Sequence, residues 1–153
     1  MEKLRGFEIA KGFENKGINI PIRKTKYSAG YDLEAAEDTI VPAFKPGQKP
    51  TLVKTGLKGY CKDDEYFMLF NRSSNPMKKG LVVANSVGII DADYYNNQDN
   101  DGHIMFAFYN FSEEDTLIKK GEAIGQAIFN KYLVTDNDQA QGDRTGGFGS
   151  TNI

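Results

Sequence analysis

The chain has 153 residues, a formal net charge of -2 and 39% hydrophobic residues. That length supports one domain with its own core, and the charge carries no electrostatic footprint for direct nucleic-acid binding. No run of about 18 apolar residues is present for a membrane span, and Cys61 and His103, the one Cys and the one His, are too few for an intrachain disulfide or a structural or deaminase-type zinc site. The lone cysteine fits a reducing cytoplasm, and Met1-Glu-Lys-Leu-Arg-Gly lacks the apolar core of a signal peptide. Sixteen glycines with eight Tyr and ten Phe point to a β-rich domain with many turns.

In chain order, residues 4–9 and 17–22 read as short strands separated by a polar turn. Residues 25–30 form a loop, and 31–36 (Tyr-Asp-Leu-Glu-Ala-Ala) lean helical by local propensity. Residues 39–41 are a strand ended by Pro42, Pro46-Gly47 is a turn, and 51–57 is a strand closed by Gly56 and Gly59. Residues 65–70 make a buried strand. Asn71-Arg-Ser-Ser-Asn-Pro76 opens the one convincing short helix, with Ser and Asn as caps, and Gly80 ends it.

Residues 82–94 stand out. Val82-Val-Ala begins as a strand, Asn85-Ser86 interrupts it, and Val87-Gly-Ile-Ile90 resumes the apolar pattern before Asp91-Ala-Asp-Tyr94. This predicts a hairpin with chemistry at its end. Gly88 inside the strand implies close approach by another group, and a continued strand would place Asp91 and Asp93 on one face, opposite Ala92 and Tyr94. The same residues equally make a solvated turn. Residues 95–102 are polar and read as an exposed loop, and 103–110 is a strand buried on both faces. Strands at 115–118 and 123–132 follow, joined by a Lys119-Lys-Gly121 turn, and 135–153 is too polar and glycine-rich to build a core. Roughly ten short strands suggest an antiparallel barrel or jelly roll.

Four further stretches carry candidate chemistry. Arg72-Ser-Ser74 offers a guanidinium and two hydroxyls suited to phosphate, or simply a capped helix. Ala29-Gly-Tyr-Asp-Leu33 sets Asp32 after a flexible glycine, or is an ordinary turn. Gln126, in Ile124-Gly-Gln-Ala-Ile128, lies on an apolar face and needs polar partners. Arg144 with Gly146-Gly-Phe-Gly-Ser-Thr151 makes a flap over a base and phosphates, or a loose terminus.

Together and in this order these stretches resemble the five motifs of the trimeric dUTPase family: 29–35, 72–74, 85–94, 121–128 and 144–151. The resemblance implies an all-β, jelly-roll-like antiparallel barrel with one short helix, which overrides the helical leaning at 33–36. It implies a barrel core over 1–134, a mobile C-terminal arm over 135–153, and a homotrimer with sites at subunit interfaces, each arm reaching to a neighbour's site. The implied activity is that of a dUTP diphosphatase: Mg²⁺-assisted hydrolysis of dUTP to dUMP and pyrophosphate by water attack on the α-phosphorus. That activity keeps uracil out of DNA and supplies dUMP for dTMP synthesis.

By the resemblance, Asp91 is the base that deprotonates the water, and Tyr94 packs on the deoxyribose and excludes a ribose 2′-hydroxyl. Asn85, with backbone at Gly88 and Ile90, reads the uracil edge. Arg72, Ser73, Ser74 and Gln126 hold phosphates, and Asp32 contacts Mg²⁺ through water while the triphosphate supplies most of the ligands. Phe148 with Gly149 covers uracil, Arg144 clamps phosphate as part of the catalytic set, and Ser150 and Thr151 add phosphate contacts. The chain departs from the motifs in three places. Glu122-Ala123 stands where Asp-Arg is common, Arg144 is one residue nearer to Phe148, and the 95–102 loop is longer than the minimal form. A dCTP deaminase of the same barrel and a nucleotide-sensing regulator with a protein partner, as in some phage members, are the rival readings; the loop keeps the second open.

Overall fold

The computed structural model describes residues 2–149, so Ser150 and Thr151 lie outside the described residues. Eleven strands and one short helix are present among them: β1 (Gly6–Ile9), β2 (Tyr31–Glu34), β3 (Thr39–Val41), β4 (Thr51–Lys54), β5 (Leu57–Tyr60), β6 (Glu65–Asn71), α1 (Ser74–Lys79), β7 (Leu81–Val83), β8 (Gly88–Asp91), β9 (Met105–Asn110), β10 (Thr116–Ile118) and β11 (Ala123–Lys131). The sheets run β2-β11-β6-β8, β4-β9-β7, β1-β5 and β10-β3, and every ladder between these strands is antiparallel.

Pattern explains the layers. On β6 every second residue is buried, Glu65, Phe67 and Leu69, as expected of a strand with one face on the core. On β9 the consecutive residues Phe106, Ala107 and Phe108 are all buried, which bears out the two-sided burial expected of this stretch. Phe67, Phe106 and Phe108 meet Leu33, Val53, Leu57, Ile104 and Ile118 in one cluster, each large side chain stabilising the fold by about 1.5–3 kcal/mol through burial. Buried Asn110 donates through Nδ2 to Val41 O (3.0 Å) and Glu114 O (2.8 Å), so it ties β9 to the β3-β10 pair. Glu65, also buried, accepts two hydrogen bonds from the Arg5 guanidinium (3.1 and 2.8 Å), and those bonds hold its carboxyl below the usual range.

Residues 31–34 are extended, so tertiary pairing with β11 overrides the local helical preference. Residues 17–22 form no strand. Pro21 removes a ladder donor, and Ile20 and Ile22 are exposed, so nothing rewards pairing. The single strand expected over 51–57 is two strands in different sheets, because Gly56 turns the chain with a left-handed φ of 71°. Ser73, at the N-terminus of α1, makes no side-chain cap. The expected Asn cap is replaced by buried Asn75, whose Nδ2 donates to Asn71 Oδ1 (2.8 Å) and Ile124 O (3.0 Å) and pins the helix to the sheet. Gly80 ends the helix as expected, in a left-handed conformation (φ 66°).

Candidate active site

The stretch expected to be a hairpin divides instead. β7 pairs with β9 and β8 pairs with β6, so the strands flanking Asn85-Ser86 join different sheets. Ser86 takes a left-handed φ of 66° and its N–H bonds Val83 O (3.0 Å), which makes the turn between them. Because the two strands diverge, a cavity of about 160 Å³ opens between the sheets. Val83, Asn85, Gly88, Ile90, Met105 and Phe106 are among its walls, and Asp91 and Tyr94 stand at its edge. The Asn85 side chain makes no hydrogen bond among the described residues, so its donor and acceptor are available to a ligand. The close approach expected at Gly88 comes from Leu69 on β6: a Cβ at Gly88 would sit 3.2 Å from Leu69 Cβ.

The strand does not continue to Tyr94. It ends at Asp91, and Ala92–Tyr94 form a 3₁₀ turn. That turn replaces the expected alternation and drives the Tyr94 ring inward to 6% exposure, while the Asp91 and Asp93 carboxylates stay on the rim. The Tyr94 hydroxyl donates to His103 O (2.7 Å) and accepts from Asn100 Nδ2 (2.9 Å). Burial raises the Tyr94 pKa, so the phenol keeps its proton. Beneath it, His103 Nε2 accepts the Gly56 N–H (2.9 Å) and burial lowers the imidazole pKa to about 4, which makes this histidine a neutral structural acceptor.

The C-terminal arm closes over the same cavity. Arg144 donates from Nη2 to Asp91 Oδ2 and from Nε to Asp93 Oδ1, both at 2.9 Å. Its Nη1 reaches Gly146 O and Gly147 O (both 3.3 Å), and the guanidinium carbon lies 5.6 Å from the Tyr94 ring centre. Gly147 N–H bonds Asp99 Oδ2 (2.9 Å), and Phe148 and Gly149 line the cavity mouth. The described part of the arm lies against the cavity of its own chain. Strand alternation places Asp93 beside Asp91 but gives it no role, and Asp99 is not among the residues singled out from sequence.

The remaining candidates form a second group, none of which lines this cavity. Asp32 on β2 lies opposite Gln126 on β11, and Gln126 opposite Phe70 on β6, just before Arg72. Asp32 is thus three strands from β8, roughly 14 Å across the sheet. Arg72 Nη1 donates to Ala123 O (3.2 Å). The side chains of Ser73, Ser74, Asp32 and Gln126 have no hydrogen-bond partner among the described residues, so this cluster presents unengaged polar groups. A β-bulge between Ala123 and Gly125 sends Ile124 into the core, so Gln126 sits half-buried beside Asp32 and not on an apolar face with Ile124. Gly30 serves here through its missing side chain: a Cβ would come within 2.1 Å of Gln126 Oε1. Where the fourth motif departs from its common form, Glu122 pairs with Lys79 Nζ (2.7 Å).

Among the described residues no three His, Cys, Asp or Glu side chains converge on a metal position. Asp32 is the single carboxylate of the second group. That donor set suits a divalent cation whose remaining oxygen ligands come from a phosphate ligand and water.

Residues 16–152 match the dUTPase family. The deoxyuridine 5′-triphosphate nucleotidohydrolase of Lactococcus lactis is 52% identical over 97% of this chain and 98% of its own. That of Paramecium bursaria Chlorella virus 1 is 35% identical over 87% and 89%. The crystal structure of dUTPase from Streptococcus mutans superposes with a TM-score of 0.80 at 42% identity, covering 86% of this chain and 99% of that one. Fold, motif order and whole-chain likeness agree, and the chain belongs to the dUTPase family.

Proposed function

We propose that this chain, a dUTP nucleotidohydrolase, cleaves its substrate to dUMP and pyrophosphate from two half-sites brought together in a homotrimer. Uracil enters the cavity between the sheets, where the free amide of Asn85 and backbone at Gly88 and Ile90 pair with its edge. Cytosine, with donor and acceptor exchanged, would leave those groups unpaired at a cost of about 1–3 kcal/mol each. The buried Tyr94 ring packs under the deoxyribose and fills the space of a 2′-hydroxyl. Phe148 and Gly149 cover the base. The phosphates lie on Arg72, Ser73, Ser74 and Gln126 of a second copy, because in one chain that cluster stands apart from the cavity. Ser150 and Thr151 are proposed as further phosphate contacts on sequence grounds alone.

Asp91 is the base. Its carboxylate, at the cavity rim, orients a water and takes its proton as the water oxygen bonds to the α-phosphorus. The bond from that phosphorus to the bridging oxygen breaks, and pyrophosphate leaves with the electron pair. With the triphosphate bound, Arg144 exchanges its carboxylate partners for phosphate oxygens and offsets charge in the transition state. Asp32 would hold Mg²⁺ through water, and the ion would supply further neutralisation of phosphate charge. Its free, half-buried Cys61, whose thiol burial pushes up to about 11, fits an enzyme of the reducing cytoplasm.

The observation that carries this reading is the Asp91 carboxylate beside Arg144 and Tyr94 at the mouth of the one cavity that holds Asn85. Pyrophosphate release measured with dUTP, UTP, dCTP and dTTP tests it. Turnover of dUTP alone is expected, and release of ammonia from dCTP, followed in parallel, would overturn it.

A further inference from the structure

The loop at 95–102 is an ordered structure with no part in the chemistry above. Asn97 is 8% exposed; its Oδ1 accepts the N–H groups of Asp99 (3.0 Å) and Asn100 (3.1 Å), and its Nδ2 donates to Tyr94 O and Asn100 Oδ1. Asn96 and Asp101 adopt left-handed φ values of 59° and 63°, a conformation these residue types tolerate. On the barrel side Asp101 Oδ2 accepts the Lys11 N–H (2.8 Å) and the Lys58 ammonium (2.9 Å). The loop is therefore fixed at both ends by its own polar residues.

Its free side meets the arm. Asp99 Oδ2 accepts the Gly147 N–H, and a Cβ on Gly147 would lie 3.0 Å from the Asn100 amide. The same Asn100 amide donates to the Tyr94 hydroxyl. One short loop thus touches the residue under the sugar and the residue before Phe148.

We infer that the 95–102 loop is the dock of the C-terminal arm, with Asp99 as a positioning residue acting through Gly147 on Phe148 and Arg144. The inference rests on the reading that the arm closes the site. Gly147 is the residue that lets the backbone come against the Asn100 amide and reach the Asp99 carboxylate. Phe148 follows directly, so the register of that contact decides whether its ring faces the cavity mouth.

The test combines Asp99→Ala, Asp99→Asn and Gly147→Ala with deletion of residues 143–153. In the full chain Asp99→Ala and Gly147→Ala should raise KM for dUTP about tenfold, the loss of one charge-assisted contact. Both should also speed trypsin cleavage after Arg144 in the presence of a non-hydrolysable dUTP analogue with Mg²⁺. Asp99→Asn keeps an acceptor oxygen and should recover most of the affinity. In the deleted chain Asp99→Ala should leave residual kcat/KM unchanged, because the arm it acts on is gone. An equal loss in both backgrounds would make Asp99 merely structural and overturn the inference. So would unchanged KM and protection in full-length Asp99→Ala while deletion abolishes turnover, a result that leaves arm closure standing. Deletion without loss of activity would instead remove arm closure itself, and the dock with it.

Discussion

The two groups of site residues are built in opposite ways. The cavity half lies where two sheets part, with Leu69, Tyr94, Phe106 and Ala107 buried in its lining, and its charged groups already have partners: Arg144 holds Asp91 and Asp93. The phosphate half joins β2, β11 and the start of α1, and the side chains of Asp32, Ser73, Ser74 and Gln126 there have no hydrogen-bond partner among the described residues. A base needs an enclosed site because its recognition depends on excluding water from a few hydrogen bonds. A triphosphate needs donors without partners of their own, ready to take its oxygens. One chain offers both surfaces and does not bring them together, which is the physical argument for completing each site with a second copy.

The comparison is broken most severely at Asp91. Asp91→Asn keeps the shape and loses the proton acceptor, so kcat should fall by about 10²–10⁴-fold. Stability should barely move, since a rim ion pair contributes about 0–1 kcal/mol. Near-normal kcat would remove Asp91 from the chemistry.

Acid should weaken the cavity half next. Folding lowers the His103 pKa from 6.5 to about 4, so the unfolded chain takes up this proton first. The stabilisation is complete above pH 6.5 and is lost as pH falls toward 4, on the order of 3 kcal/mol in all. Denaturant melts across that window should show the decline, and His103→Gln should flatten it while still accepting the Gly56 N–H. An equal slope in that variant would place the titration elsewhere.

The phosphate half is probed by Gly30→Ala. The added methyl displaces the Gln126 amide, and kcat/KM for dUTP should drop about 10–100-fold, the range of a lost hydrogen bond to a charged group. Inhibition by deoxyuridine, which carries no phosphate, should stay constant; a parallel loss would show that the halves are not separable.

The smallest effect is expected from Tyr94→Phe. Removing the hydroxyl leaves Asn100 Nδ2 and His103 O without this partner and should cost about 1–2 kcal/mol of stability. The ring remains, so the ratio of kcat/KM for dUTP over UTP should hold, whereas Tyr94→Ala should lower it. A changed ratio in Tyr94→Phe would assign sugar selection to the hydroxyl network.

Much of this was legible from residues alone. The β6 and β9 strands followed from apolar pattern, and Gly80 from its place after a short helix. The motif order brought Asn85, Asp91, Tyr94 and Phe148 onto one cavity. What failed was long-range pairing. Nothing local to residues 82–91 says that β7 and β8 will pair in different sheets, since strand pattern specifies which face is buried but not the neighbour. The 3₁₀ turn after Asp91 was hidden for a related reason: alternation is meaningful only while a ladder continues, and the β6-β8 ladder ends at the Tyr66–Asp91 pair. Asp99 was hidden because its partner is a backbone N–H 48 residues away, which leaves no compositional trace.

Subunit mixing tests the split site most directly. Asp91→Asn disables the cavity half and Arg72→Ala the phosphate half, and each variant on its own should be nearly inactive. If each site joins halves from two copies, partial unfolding and refolding of an equal mixture should restore about a quarter of wild-type turnover, the fraction of random interfaces with both halves intact. Confirmed subunit exchange with no recovered activity would contradict the account and return the whole site to one chain.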